Sequence, residues 1–165
     1  MYGAINQGCA NFSVQQCNLV NGAIKGLKAT GVQSCEEFGT DASMRLQVSA
    51  LWQELTTPPP GQEYGGEYMS PQDALAAFGP MTPKSWLAHG VIFLDPIIFV
   101  GNNLRLVLLV VAHEESHALL GLDDGQSETG SPSALLGDDP RNPAGAWGQY
   151  CLGVYDHDHP GSQGP

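Results

Sequence analysis

Residues 104–124, LRLVLLVVAHEESHALLGLDD, decide how the rest of the chain is read. From Leu104 to Ala112 the segment is apolar almost all round, the pattern of a helix inside a core rather than on a surface. Asn103 stands where an N-cap belongs and Gly121 where a C-terminal stop belongs, which predicts one helix over 104–120. The C-terminal half of that helix carries His113-Glu114-Glu115-Ser116-His117, an H-E-x-x-H pattern. Residues four apart share a helix face, so both imidazoles can reach one metal ion at about 2.0–2.1 Å. Glu114 follows the first histidine, where a carboxylate stands beside such a metal and can take a proton from water. Two histidines and two glutamates on a buried helix cost free energy unless they have partners. Chance yields this spacing on the order of once per hundred chains of this kind. Glu115 is read as a supporting or outward-facing carboxylate, not as the base.

Upstream, Val91–Leu94 and Ile97–Val100 are short β-branched and aromatic runs split by Asp95-Pro96. They predict two strands, with the proline placing them at an edge or a bend. Further upstream, helical spacing predicts helices over 12–30 and 41–56. Ser34 and Glu37 form a candidate capping box, and Asp41 is a candidate N-cap. Pro58-Pro59-Pro60 ends helix formation and opens a loop to about residue 70. Ser70-Pro71 then caps a short helix over 74–78 that stops at Gly79-Pro80. Downstream, 123–146 shows no sustained periodicity, the mark of a functional loop or one held by a ligand. Residues 156–165 are expected to be an exposed tail. The expected architecture is α+β, a single domain over 1–155: N-terminal helices on a small sheet, with the 104–120 helix central.

One hundred and sixty-five residues are enough for one domain but not two of full size. Seventeen acidic against six basic residues leave a formal net charge of −11, so a basic surface for nucleic acid or anionic lipid is excluded. The longest apolar candidate for a membrane span, 91–112, is broken by Asp95, Pro96, Gly101, Asn102, Asn103 and Arg105. Cys9, Cys17, Cys35 and Cys151 contain no C-x-x-C pair, which disfavours a zinc ribbon or a thioredoxin-type motif. Three pairings stay open; Cys17–Cys35 with Cys9–Cys151 is preferred. The first of these needs the chain to fold back at Gly22 or Gly26. The N-terminus has no basic region or apolar run of the signal-peptide kind. The expectation is an exported mature chain, or a domain released from a larger precursor.

Val110 to Asp124 resembles the active-site helix of zincin metallopeptidases. More narrowly, it is similar to small zincin-like C-terminal domains of Rhs-type bacterial surface and toxin proteins. The resemblance covers about residues 91–124. It implies a Zn²⁺ ion held by His113, His117 and a third ligand downstream, with Glu114 as base and an upstream strand aligning the substrate. Gly121 lies four residues after His117, where the family pattern has three. Counting from Gly121 selects Asp124 as third ligand, and counting from His117 selects Asp123. Glu128 is a further alternative, followed by His157 and His159. No Met follows Met81, so the Met-turn of the metzincins is missing, which favours an aspartate ligand. Tyr150, and after it Tyr155, are candidates for stabilising the oxyanion, while His89 is read as structural. The implied activity is zinc-dependent endopeptidase action on a polypeptide, in a secreted or delivered toxin-like domain. Such a domain would have a cognate inhibitor or immunity protein as a partner. The alternatives are an inactive zincin-fold binding module and a zinc amidohydrolase acting on another amide.

Overall fold

The computed structural model describes residues 12–48, 66–121 and 143–159. Helix α1, Val14–Lys28, starts at a reciprocal cap. Ser13 Oγ accepts the Gln16 N–H, and the Gln16 side chain accepts the Ser13 N–H, satisfying two donors that a helix start otherwise orphans. Helix α2, Gln33–Arg45, folds back onto α1. The capping box expected at Ser34 does not form; Val32 precedes the helix and gives no side-chain cap.

The helix expected over 41–56 is also corrected. Asp41 lies inside α2 and Leu46–Val48 form strand β1; residues 49–56 lie outside the described residues. Met44, Leu46 and Val48 alternate with a period of two, Leu46 falling off the helical face that Met44 and Val48 would share, and pairing with a neighbouring strand settles the segment as extended. Strand β2, Gly66–Met69, lies within the segment expected to be loop. Strand β3, Val91–Leu94, stands between the other two in the order β1-β3-β2. It pairs parallel with β1, Leu46 opposite Ile92, and antiparallel with β2, Gly66 opposite Leu94 and Met69 opposite Val91.

All four β3 side chains are buried, so this strand is the sheet centre rather than the edge. Ile97–Val100 is not a strand either. Asp95 Oδ1 accepts the Ile97 N–H and opens a 3₁₀ turn over Pro96–Phe99, a geometry that the fixed φ of proline suits. Ile92 and Leu94 face the main core, while Val91, Phe93 and Met69 face a smaller one. Phe78 of helix α3, Pro71–Phe78, and Trp86 of helix α4, Lys84–His89, close that smaller core. Ser70 caps α3 by accepting the Asp73 N–H, as expected.

Helix α5 spans Leu104–Leu120, capped by Asn103 Oδ1 on the Leu106 N–H and ended by Gly121 at φ 68°. The left-handed value at Gly121 is one that a side chain would strain. Helix α6, Pro143–Asp158, was not anticipated. It runs antiparallel to α5: Gly148 lies against Leu109 and His113, and Asp156 binds Arg105 through two hydrogen bonds of 2.7 and 2.8 Å. A Cβ on Gly148 would stand 3.0 Å from the Leu109 carbonyl oxygen, so the bare glycine sets how closely the two helices approach. The exposed tail expected from residue 156 is corrected over its first residues, because 156–158 are helical and Asp156 is anchored; residues 160–165 lie outside the described residues.

The preferred cysteine pairing is corrected as well. Cys35 bonds Cys151, tying α2 to α6, and both are fully buried. Helix α1 continues without a break through Gly22 and Gly26. Its length beyond Cys17, about 16 Å at 1.5 Å per residue, separates Cys17 from the start of α2. Cys17 is itself in a disulfide; Cys9 lies outside the described residues. Among the described residues no helix is long and apolar enough to cross a membrane.

Candidate metal centre

The buried side of α5 packs on α1, α2 and β2 through Val107, Leu108, Val111 and Ala112, which fixes the rotation of the helix. That rotation leaves His113 and His117 half-buried on the side where α6 makes its close approach. Their Nε2 atoms face each other at 3.3 Å, with the rings 77° apart. Two nitrogens bound to one ion at about 2.0–2.1 Å in tetrahedral geometry stand about 3.3–3.4 Å apart. The pair thus has the bite of a metal chelate before any ion is placed. Glu114 is 6% exposed, and its Oε2 lies 3.9 Å from His113 Nε2. One ligand atom from each of His113, Glu114 and His117 falls within 4.8 Å of the others, so the group could hold a metal ion. Ser116 donates its hydroxyl to the His113 carbonyl at 2.6 Å, which satisfies a buried hydroxyl without competing for the imidazoles.

Glu114 sits directly under the edge strand. Gly66 of β2 faces it, and a Cβ there would stand 3.3 Å from Glu114 Cγ. Residues 66 and 68 lie on the same side of the strand, and Tyr68 packs against the main core. The substrate-aligning strand expected within 91–100 is therefore corrected: β3 is paired on both sides, and the strand next to Glu114 is β2.

Glu115 does not face outward. It is fully buried on the α2 side of α5, where its carboxyl lies beside that of Asp41. Burial raises its pKa well above 4.5; the neighbouring Asp41 adds to the rise and Arg45 offsets part of it. Arg45 pairs with Asp41 one turn away, donates to the His89 carbonyl, and lies 6.0 Å from the centre of the Tyr68 ring. One guanidinium thus touches α2, the end of α4 and β2 while facing α5. Its own charge is opposed by burial and restored by Asp41, which leaves its pKa above the usual value. The motif did not reveal this cluster, although Asp41 and Arg45 at a spacing of four were a readable signal.

The remaining candidates separate. Asp123, Asp124 and Glu128 lie outside the described residues. Tyr150 is 36% exposed, packs edge-on against Trp147, and makes no hydrogen bond to the histidine pair. Tyr155 is buried in the main core, its ring stacked on His159 at 4.1 Å. His157 and His159 follow Asp156, which binds Arg105 in the first turn of α5. His113 is about 12 Å further along that helix, so these two histidines are at its other end. His89 is exposed and serves through its backbone carbonyl. No family model, curated protein or solved structure matches this chain.

Proposed function

We propose that the protein is a zinc-dependent peptidase whose working groups are His113, His117 and Glu114. The observation that carries this reading is the 3.3 Å Nε2 to Nε2 spacing with the Glu114 carboxylate beside it under an edge strand. Two imidazoles and a carboxylate suit zinc among the common divalent ions. When bound, zinc supplies a Lewis acid for the scissile carbonyl and lowers the pKa of water. The chain's own groups do the rest. His113 and His117 would hold the ion, each through Nε2. Asp124, three residues after the left-handed Gly121, is the proposed third ligand. Glu114 takes a proton from the attacking water and returns it to the leaving amine. The outer edge of β2 holds an extended peptide by main-chain pairing, and Tyr150 is the proposed contact to the developing oxyanion. A buried disulfide favours an extracytoplasmic setting. A toxin-like role with a protein inhibitor belongs to the same proposal.

The test is Glu114→Gln beside wild type, both assayed for zinc content and for cleavage of an unfolded protein. Zinc should be retained while kcat falls at least about a hundredfold. Full cleavage by the variant would remove Glu114 as the base. Zinc binding without cleavage by either chain would favour a binding module.

A further inference from the structure

Glycine is a poor strand former, and inside a strand it often marks a place where something approaches the backbone closely. Gly66 is such a case. Its backbone is not in the left-handed region, so conformational freedom is not the reason for a glycine there. The reason is space. A Cβ at this position would lie 2.8 Å from the Phe93 carbonyl oxygen of the neighbouring strand and 3.3 Å from Glu114 Cγ. Glu114 is enclosed on that side, 6% exposed, with its Oε2 3.9 Å from His113 Nε2. Gly66 is also the β2 residue paired with Leu94, so lifting this end of the strand away from Glu114 gives up that pair on β3.

We propose that Gly66 is a positioning residue: its missing side chain lets Glu114 stand beneath the edge strand and keep its carboxylate beside the histidine pair. The inference rests on the peptidase reading for its functional consequence, but its steric content stands apart from that reading. A methyl group at 66 meets the Phe93 carbonyl oxygen and also presses on the Glu114 stem, which must give by a few tenths of an ångström and takes its carboxylate with it, away from its place beside the histidines. The histidines themselves are held by the α5 backbone and do not move with it.

The experiment is a double-mutant cycle on the full chain: wild type, Gly66→Ala, Glu114→Ala and the double variant. Each is measured for zinc affinity by chelator competition, for thermal midpoint, and for kcat and KM on an unfolded protein. Gly66→Ala should keep zinc affinity within about threefold and lower kcat about a hundredfold with KM within about threefold. It should cost nothing further in activity when Glu114 is already alanine. Its drop in thermal midpoint should be smaller in the Glu114→Ala background, because one of the two clashes has gone. Equal drops in the two backgrounds overturn the proposal, as does a Gly66→Ala chain that cleaves like wild type. If wild type binds zinc but cleaves nothing, the peptidase reading fails, and the thermal coupling alone still decides the role of Gly66.

Discussion

Glu115 shows how a variable position inside a motif can govern stability without joining the chemistry. Its carboxyl is fully buried and its pKa is raised, first by burial and then by Asp41. The folded chain therefore holds this proton more tightly than the unfolded chain, whose value lies near 4.5. Stability is fully present below that pH and declines as pH rises towards the folded-state value. Glu115→Gln removes the charge and offers an amide donor to Asp41. By chemical denaturation with chelator present, the variant should match wild type below pH 4.5. It should be more stable by about 1–3 kcal/mol at pH 8. A wild type that gains on the variant as pH rises would mean that Glu115 is charged and satisfied. The third ligand is a second matter at this scale. Three protein ligands leave one open position for water, and two imidazoles alone hold zinc loosely. Asp124→Ala should lower zinc affinity more than Asp123→Ala or Glu128→Ala. Retention of full zinc occupancy by Asp124→Ala would end the assignment.

Helix α6 depends on its neighbours. Gly145, Gly148 and Gly153 lower its intrinsic propensity, yet two of its contacts hold it on the rest of the fold. The bare Gly148 admits Leu109 and His113 of α5, and Cys151 bonds Cys35 of α2. That bond closes a sequence separation of 116 residues, a loop whose restriction in the unfolded chain is worth about 2–5 kcal/mol. Replacing both cysteines by serine should lower stability by that amount in denaturant titration. Proteolytic mapping without reductant should recover a peptide pair containing Cys35 and Cys151, and recovery of Cys17 joined to Cys35 would refute the connection. The same dependence on neighbours explains β1. Leu46–Val48 continues directly from α2 and becomes a strand because Ile92 and Leu94 of β3 offer it a ladder.

At the scale of the whole molecule, the chain carries a formal net charge of −11. A field of one sign concentrates ligands of the opposite sign, and salt screens it over about 10 Å at 0.1 M. Cationic peptides should therefore be cleaved with higher kcat/KM than anionic ones of the same length. The ratio should shrink as ionic strength rises. A ratio unaffected by salt would place the preference in local pockets instead.

The 104–120 helix, its Asn103 and Gly121 caps and the H-E-x-x-H face were legible in the sequence, as were the short helix after Ser70 and the strand over 91–94. In each, local chemistry and periodicity point the same way, and the tertiary contacts had nothing to overrule. The centre of the sheet, the Cys35–Cys151 bond, β2, α6 and the burial of Glu115 were decided only by the fold. Each depends on which distant segment packs alongside: β1 and β2 flank β3, α2 lies over Glu115, and α5 supplies the surface on which a glycine-rich helix can form. Local propensity at those positions is weak or divided, so the free energy that selects their conformation comes from long-range contacts.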